Sequence, residues 1–197
     1  MAVGQVNAHD PRVKRTRKLL QQTLNDLMHE KSFAAITVQD IAERSTLNRA
    51  TFYAHFEDKY DLLDSIIREG VEQALAATIS DTAPVTVDTL RTLCRTVFDF
   101  FAQTHDHCRP RDKQFDPLLE KAVQDVLQGF VRRWLQRVPP SALPPDVGVE
   151  IVAAVLSWAI FGVGSQWSRG LRRQSADEVA AQVVAVLTDG VAALVAP

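Results

Sequence analysis

Apolar residues recur along this chain at helical spacing almost throughout, and no segment alternates with the period of two expected of a strand. Residues 1–10 are polar and predict a disordered tail. Pro11 suits a helix start. Arg12 to Lys31 then carries Leu20, Leu24, Leu27 and Met28 on one face. Two short helices are predicted next, opening at Thr37 and at Asn48. A fourth runs from about Asp58 to Ile79, with the stripe Leu62, Leu63, Ile66, Ile67, Val71, Ala74 and Leu75. Pro84 marks a break over Asp81 to Val85. Further helices are predicted over Thr86–Thr104, Pro117–Val138, Asp146–Ser168 and Ser175–Leu194. A charged connector (residues 105–116) and a proline-rich loop (139–145) separate three of them. The pattern predicts an all-α chain: a tail (1–10), an amino-terminal three-helix domain of homeodomain-like helix–turn–helix type (11–60), and a larger helical domain (61–197).

The stretch TVQDIAERSTLNRATFYAHFEDK, residues 37–59, carries the clearest local signals. Thr37 and Asp40 have capping-box spacing, and Val38, Ile41 and Ala42 give the short helix an apolar face. Asn48 is a good N-cap for the next. Phe52 and Phe56 sit four apart and turn inward, so Arg49, Thr51, Tyr53 and His55 turn outward. Such a face suits a DNA major groove. Arg49 can bond guanine in bidentate fashion, and the Thr51 methyl can touch thymine. Gln39, early in the preceding helix, is a third candidate base reader.

Composition narrows the classes. With 197 residues and 46% hydrophobic content, the chain can build one or two cored domains. The net charge of −2 excludes a uniformly basic nucleic-acid binder. Residues 1–60 hold nine Lys/Arg against seven Asp/Glu, and the rest thirteen against seventeen. The mild asymmetry fits a reading unit joined to an acidic body. Arg12, Lys14, Arg15, Arg17 and Lys18 are either a solvated helix face or an arm that touches DNA backbone. Cys94 and Cys108 form no disulfide framework or zinc-finger spacing. Residues 1–11 lack the apolar core of a signal peptide. The apolar run from Ile151 to Gly164 is short for a membrane span and reads as a buried helix. A cytoplasmic protein with no membrane partner, metal or cofactor is expected. His105, His107 and Cys108 could hold a soft metal or sense redox state, against the plainer reading of an exposed loop. No phosphate loop, nucleophile motif or paired carboxylates point to an enzyme.

The same segment resembles the DNA-binding domain of the TetR family of bacterial transcriptional regulators, over about residues 12–65. The resemblance rests on Thr37, Ile41, Ala42, Thr51-Phe52-Tyr53, His55-Phe56, Lys59 and Leu62-Leu63. It implies that Thr37, Tyr53, His55 and Lys59 grip phosphates; with Gln39, Asn48, Arg49 and Thr51 they make up the candidate DNA-binding set. Many family members carry Ala-Gly-Val-Ser in the turn. This chain has Ser45-Thr46-Leu47-Asn48, and a β-branched residue is costly if that backbone needs positive φ.

Beyond the reading unit, Cys94, Phe98, Phe101 and His105 share one helix face. They form either plain core or one wall of an effector pocket. Phe130, Trp134, Trp158 and Phe161 are further candidates for that wall, with Phe115 and Trp167 behind them, and an apolar or aromatic small molecule is the implied ligand. The last two helices offer broad apolar faces: Ile151, Val155, Ala159 and Gly162 on one, Val179, Val183, Val186 and Val191 on the other. A homodimer through these faces is expected, placing two reading units on one palindromic double-stranded DNA operator. The resulting expectation is an effector-released repressor. The alternative is an activator or a nucleoid-associated division factor of the same fold, without ligand gating.

Overall fold

A computed structural model of the chain describes residues 10–80, 82–107, 116–139 and 146–190, leaving aside the side chains of 105–107. The expected tail, His107 and Cys108, Phe115, most of the 139–145 loop and Val191 lie outside these residues or side chains, as does the side chain of His105. The described chain is helical and contains no strand. It divides into two compact units, one reaching to Ile67 and including the start of α6, the other holding most of the remainder. The division falls inside a continuous helix, α4 (Lys59–Thr78).

In the first unit, α1 (Pro11–Glu30) opens on Asp10, whose carboxylate accepts from the Arg12 amide at 2.8 Å, with Pro11 at the first helical position. Its buried edge is Leu20, Thr23, Leu24 and Leu27. A single 3-10 turn, Phe33–Ala35, leads to α2 (Val38–Arg44) and then to α3 (Arg49–Tyr53). Phe33, Ile36, Ile41, Phe52, Phe56, Leu62 and Leu63 fill the core. Helix α3 has only five residues, far below the length at which an isolated helix is stable. Its conformation depends on the burial of Phe52 and on its caps.

The second unit is built on α5 (Val87–His107), α6 (Asp116–Leu135), α7 (Val149–Arg169) and α8 (Ala176–Asp189). Leu93, Cys94, Val97, Phe98, Phe101, Val123, Leu127, Val131, Ile160 and Ala180 form its core. Trp134 is buried and donates its indole N–H to the Ala83 carbonyl at 2.8 Å, which satisfies the one polar atom the ring takes inside. Helix α8 starts at a reciprocal capping box between Ser175 and Glu178.

Four helix ends differ by three or more residues from the expected positions. Helix α5 runs on to His107. Helix α6 stops at Leu135, and residues 136–138 turn back through Val138 N–H to the Leu135 carbonyl, ahead of Pro139. Helix α7 starts at Val149, because Asp146 takes a left-handed conformation (φ 63°) that cannot continue into a helix. Helix α8 ends at Asp189, where Gly190 (φ 72°) terminates it.

Helix α7 alone among the described helices is long and apolar enough to cross a membrane by length and composition, a third of that stretch being buried. It reaches this length because it extends past the apolar run that suggested a shorter element. Gly164 sits on its buried side. A Cβ built there would lie 2.5 Å from Cδ1 of Phe98 and 3.3 Å from Phe101. Alanine normally improves a helix over glycine by about 1 kcal/mol. Here the overlap with a fully buried ring outweighs that gain. Gly164→Ala is expected to lower stability by about 1–3 kcal/mol, measured by urea denaturation; a rise in the midpoint would show that Phe98 can yield.

Candidate nucleic-acid interface

The two short helices are held by side-chain caps at their exposed ends. Thr37 and Asp40 form the expected capping box: the Asp40 amide donates to Thr37 Oγ1 at 3.1 Å, and the Thr37 amide and hydroxyl both donate to Asp40 Oδ2 at 2.7 Å. Lys31 adds an ion pair at 2.9 Å. Hydrogen bonding from Lys31 and then from Thr37 brings the Asp40 carboxyl down to about 2, so the cap stays charged at neutral pH. At α3, Asn48 Oδ1 accepts from the amide of Thr51 at 2.7 Å and from its hydroxyl at 3.0 Å.

Between the helices, Thr46 has φ 56°. The turn therefore does require the left-handed conformation that a glycine would adopt freely, and this chain places a β-branched residue there. The conformation serves the end of α2: the Thr46 amide donates to the Glu43 carbonyl and the Leu47 amide to the Ala42 carbonyl at 2.9 Å, terminating the helix. The Thr46 hydroxyl donates to the Ser45 carbonyl at 2.7 Å.

The candidate residues fall into three groups by what their polar atoms already do. Gln39, Arg49 and Tyr53 are exposed, and none holds a buried polar partner. The Arg49 guanidinium rests beside Tyr53, 3.4 Å from its hydroxyl and 5.8 Å from the ring centre. This loose pairing aligns the guanidinium without consuming it. Thr37, Asn48 and Thr51 have their oxygen atoms committed to caps, so they position the backbone and offer contacts only from what remains.

Lys59 and His55 form the third group, and Lys59 differs from expectation. Its ammonium donates to the carbonyls of Phe33 (2.9 Å), Ala34 (3.2 Å) and Ile36 (2.7 Å), and lies 4.7 Å from the Phe33 ring centre. Three N–H groups thus meet three carbonyls of the 3-10 turn, which removes Lys59 from the set of free phosphate donors and makes it a structural tie. His55 is half-buried. Burial, and then the nearby Arg17 charge, keep its imidazole below the usual histidine range. Arg17, one of the basic residues of α1, donates to the His55 carbonyl at 2.8 Å and covers the Phe56 ring at 4.1 Å. Neither the Arg17 tie nor the Lys59 tie is visible in the sequence, because both join residues 23 or more positions apart.

The candidate effector wall is only partly assembled. Cys94, Phe98 and Phe101 are fully buried; Phe98 packs on Gly164 and Trp167, and Phe101 on Phe161. Burial raises the Cys94 thiol to about 12, which leaves it inert at neutral pH. These three are core. Phe130 and Trp134, with ring centres 6.3 Å apart, do line clefts at the surface of the second unit. Trp158 is 58% exposed and meets Phe161 edge-on from outside the core. The candidate dimer faces divide similarly. Ile151 and Val155, 62% and 56% exposed, make one stripe of α7 with Trp158 and Gly162, and Val186 is exposed on α8. Val179 and Val183 are buried within their own chain, so the expectation that they face a partner is corrected. Ala159 is half-buried. No group of acidic, histidine or cysteine side chains able to hold a metal occurs among the described residues.

A capped helix–turn–helix that exposes Gln39, Arg49 and Tyr53 stands at the head of a chain whose described residues are helical. Residues 23–66 match the family described as bacterial regulatory proteins, tetR family. An uncharacterized HTH-type transcriptional regulator, YxbF of Bacillus subtilis (strain 168), is 40% identical over 67 residues; the match covers 34% of this chain and 18% of that protein. Solved structures share the fold of nearly the whole chain. A TetR-family regulator from Pectobacterium atrosepticum has a TM-score of 0.60 at 18% identity, covering 95% of this chain and 98% of that one. RolR, solved with resorcinol, has a TM-score of 0.60 at 14% identity, covering 94% and 96%. FadR from Bacillus subtilis, solved with stearoyl-CoA, has a TM-score of 0.56 at 16% identity, covering 88% and 98%. The tetR-family match is thus confined to the amino-terminal segment, and over the rest of the chain the likeness to the solved structures is one of fold.

Lys59→Met keeps the aliphatic stem but removes three donors from partly buried carbonyls. It is expected to destabilise the amino-terminal unit by about 2 kcal/mol, seen as faster amide exchange in α2 and α3. Unchanged exchange with weakened DNA binding would return Lys59 to the phosphate contacts.

Proposed function

We propose that the protein is a homodimeric, cytoplasmic repressor that binds a palindromic operator and is released by a small apolar or amphipathic effector. The observation that carries the reading is the exposed Arg49–Tyr53 pair, together with Gln39, on two short helices whose caps are complete without those side chains. Side chains held at the surface without internal work are available to base edges. In this reading Arg49 reads sequence, Gln39 and the Thr51 methyl assist, and Tyr53 and His55 meet phosphates.

The dimer is supported by an apolar stripe left exposed among the described residues. Ile151, Val155 and Trp158 repeat at i, i+4 and i+7 on α7, and Gly162 continues the line with no side chain to hold a partner helix away. Adjoining large apolar groups exposed on a helix mark an interaction surface. Two copies joined there would present two reading units to one operator, adding affinity without new base contacts. Helix α4 belongs to both units of the chain, so an effector bound in the second unit has a continuous element on which to act. A tenfold loss of operator affinity needs about 1.4 kcal/mol of differential effector binding.

Arg49→Ala should cost about 1–3 kcal/mol per half-site and relax preference at one base pair, measured against a panel of single-substitution operators. Equal loss on every operator would make Arg49 a phosphate contact. For assembly, Val155→Glu with Trp158→Glu should give a folded monomer in sedimentation, with operator binding at least tenfold weaker. A tight dimer from that variant would place the interface elsewhere.

A further inference from the structure

Three of the nine arginines described in the second unit hold a carboxylate in an ion pair. Arg68 pairs with Asp125 at 2.8 Å, Arg91 with Asp177, and Arg169 with Glu120. Arg133 and Arg137, at the carboxy-terminal end of α6, pair with no carboxylate among the described residues. Both line clefts on α6. The larger, about 320 Å³, lies between α4 and α6 and is bounded by Glu72, Leu75, Ala76, Val126, Phe130 and Arg133. A smaller one, about 80 Å³, shares Phe130 and Arg133 with it and is lined also by Trp134 and Arg137. The larger volume is at the small end of the range for ligand clefts, roughly 300–1,000 Å³.

Arginines near a helix carboxy terminus often do no more than face the terminal carbonyls. Arg133 does something else. Its Nη1 lies 3.4 Å from where a Cβ on Gly129 would stand, so the guanidinium folds back one turn toward the middle of α6 and over the cleft wall. Gly129 has no side chain to obstruct that position. The floor is apolar: Leu75 and Phe130 are buried, and Phe130 stacks near Trp134, whose N–H is already satisfied by Ala83. The adjoining clefts therefore offer an apolar floor, the guanidiniums of Arg133 and Arg137 with no carboxylate partner among the described residues, and a single lining carboxylate, Glu72, on the facing helix.

We propose that these adjoining clefts bind a small amphipathic monoanion, with its carboxylate or comparable acidic head on Arg133 and Arg137 and its hydrocarbon body on Leu75, Val126 and Phe130. Glu72 repels the head from the opposite wall and fixes the direction of entry. A guanidinium fork matches the geometry of a carboxylate and keeps its charge at any physiological pH. That the bound anion acts as the effector rests on the regulatory reading above; the binding site does not.

The test uses octanoate and octanol, which share a chain and differ in head charge, titrated calorimetrically into the full-length protein. Octanoate is expected to bind at least tenfold more tightly than octanol. Arg133→Gln and Arg137→Gln should each reduce octanoate affinity about tenfold while leaving octanol nearly unchanged. Ala76→Phe, at an exposed position on the rim, should block both. All three substitutions are at exposed sites, so melting temperatures should stay near that of the parent. Equal binding of octanoate and octanol, no binding of octanoate, or octanoate binding that survives both Arg133→Gln and Ala76→Phe would overturn the assignment. Operator affinity measured with and without octanoate separates the two claims. An octanoate-bound cleft with unaltered operator affinity would count against the effector reading and leave the site intact.

Discussion

The Lys59 ammonium, bonded to the carbonyls of Phe33, Ala34 and Ile36, is the tie on which the reading unit depends. It joins the first residue of α4 to the turn that sets the direction of α2. A helix of five residues such as α3 has almost no stability of its own, so its orientation is whatever its neighbours impose. Lys59 fixes the segment before α2, and Arg17 fixes the one after α3 by holding the His55 carbonyl and covering Phe56. Removing either cation would leave carbonyls or a ring exposed to rearrangement at the place where sub-ångström positioning matters for DNA.

This arrangement separates structural work from recognition. The caps use Thr37, Asp40, Asn48 and the Thr51 hydroxyl; the ties use Lys59 and Arg17; the core uses Ile41, Phe52 and Phe56. What is left on the surface is Gln39, Arg49 and Tyr53, side chains that can change without unfolding the unit. Specificity can then vary at a few positions on a constant frame. Thr46 is the exception, since it holds a left-handed conformation more natural to glycine. The cost, of order 1 kcal/mol or more, is sustained by the hydrogen bonds that end α2 and by the depth of the core beside it.

Local chemistry made much of this legible in advance. The all-helical class followed from periodicity, the caps at Thr37 and Asn48 from residue type, and the strain at Thr46 from a β-branched residue where the resembled family carries glycine. Long-range commitments were not legible. Lysine at position 59 reads equally well as a phosphate donor and as a carbonyl tie, and only the fold brings Phe33 and Ile36 to it. The same holds for Val183 and Trp158: helical spacing shows that each lies on an apolar face, but not which face turns inward. Cys94, Phe98 and Phe101 share a face as expected, and Gly164 lets that face close tightly against α7, which favours plain core over the alternative of a pocket wall. Arg133 and Arg137 belong to no sequence motif, and only the fold sets them beside clefts.

In the proposed function the exposed face of the two short helices binds DNA, with phosphate contacts supplying much of the affinity. The most direct measurement is the salt dependence of binding to a duplex enriched by the protein from a random-sequence pool. A dimer neutralising on the order of eight phosphates predicts a log–log slope of about −7, with enrichment converging on a two-fold symmetric site. A slope near zero, or a pool that never converges, would contradict it.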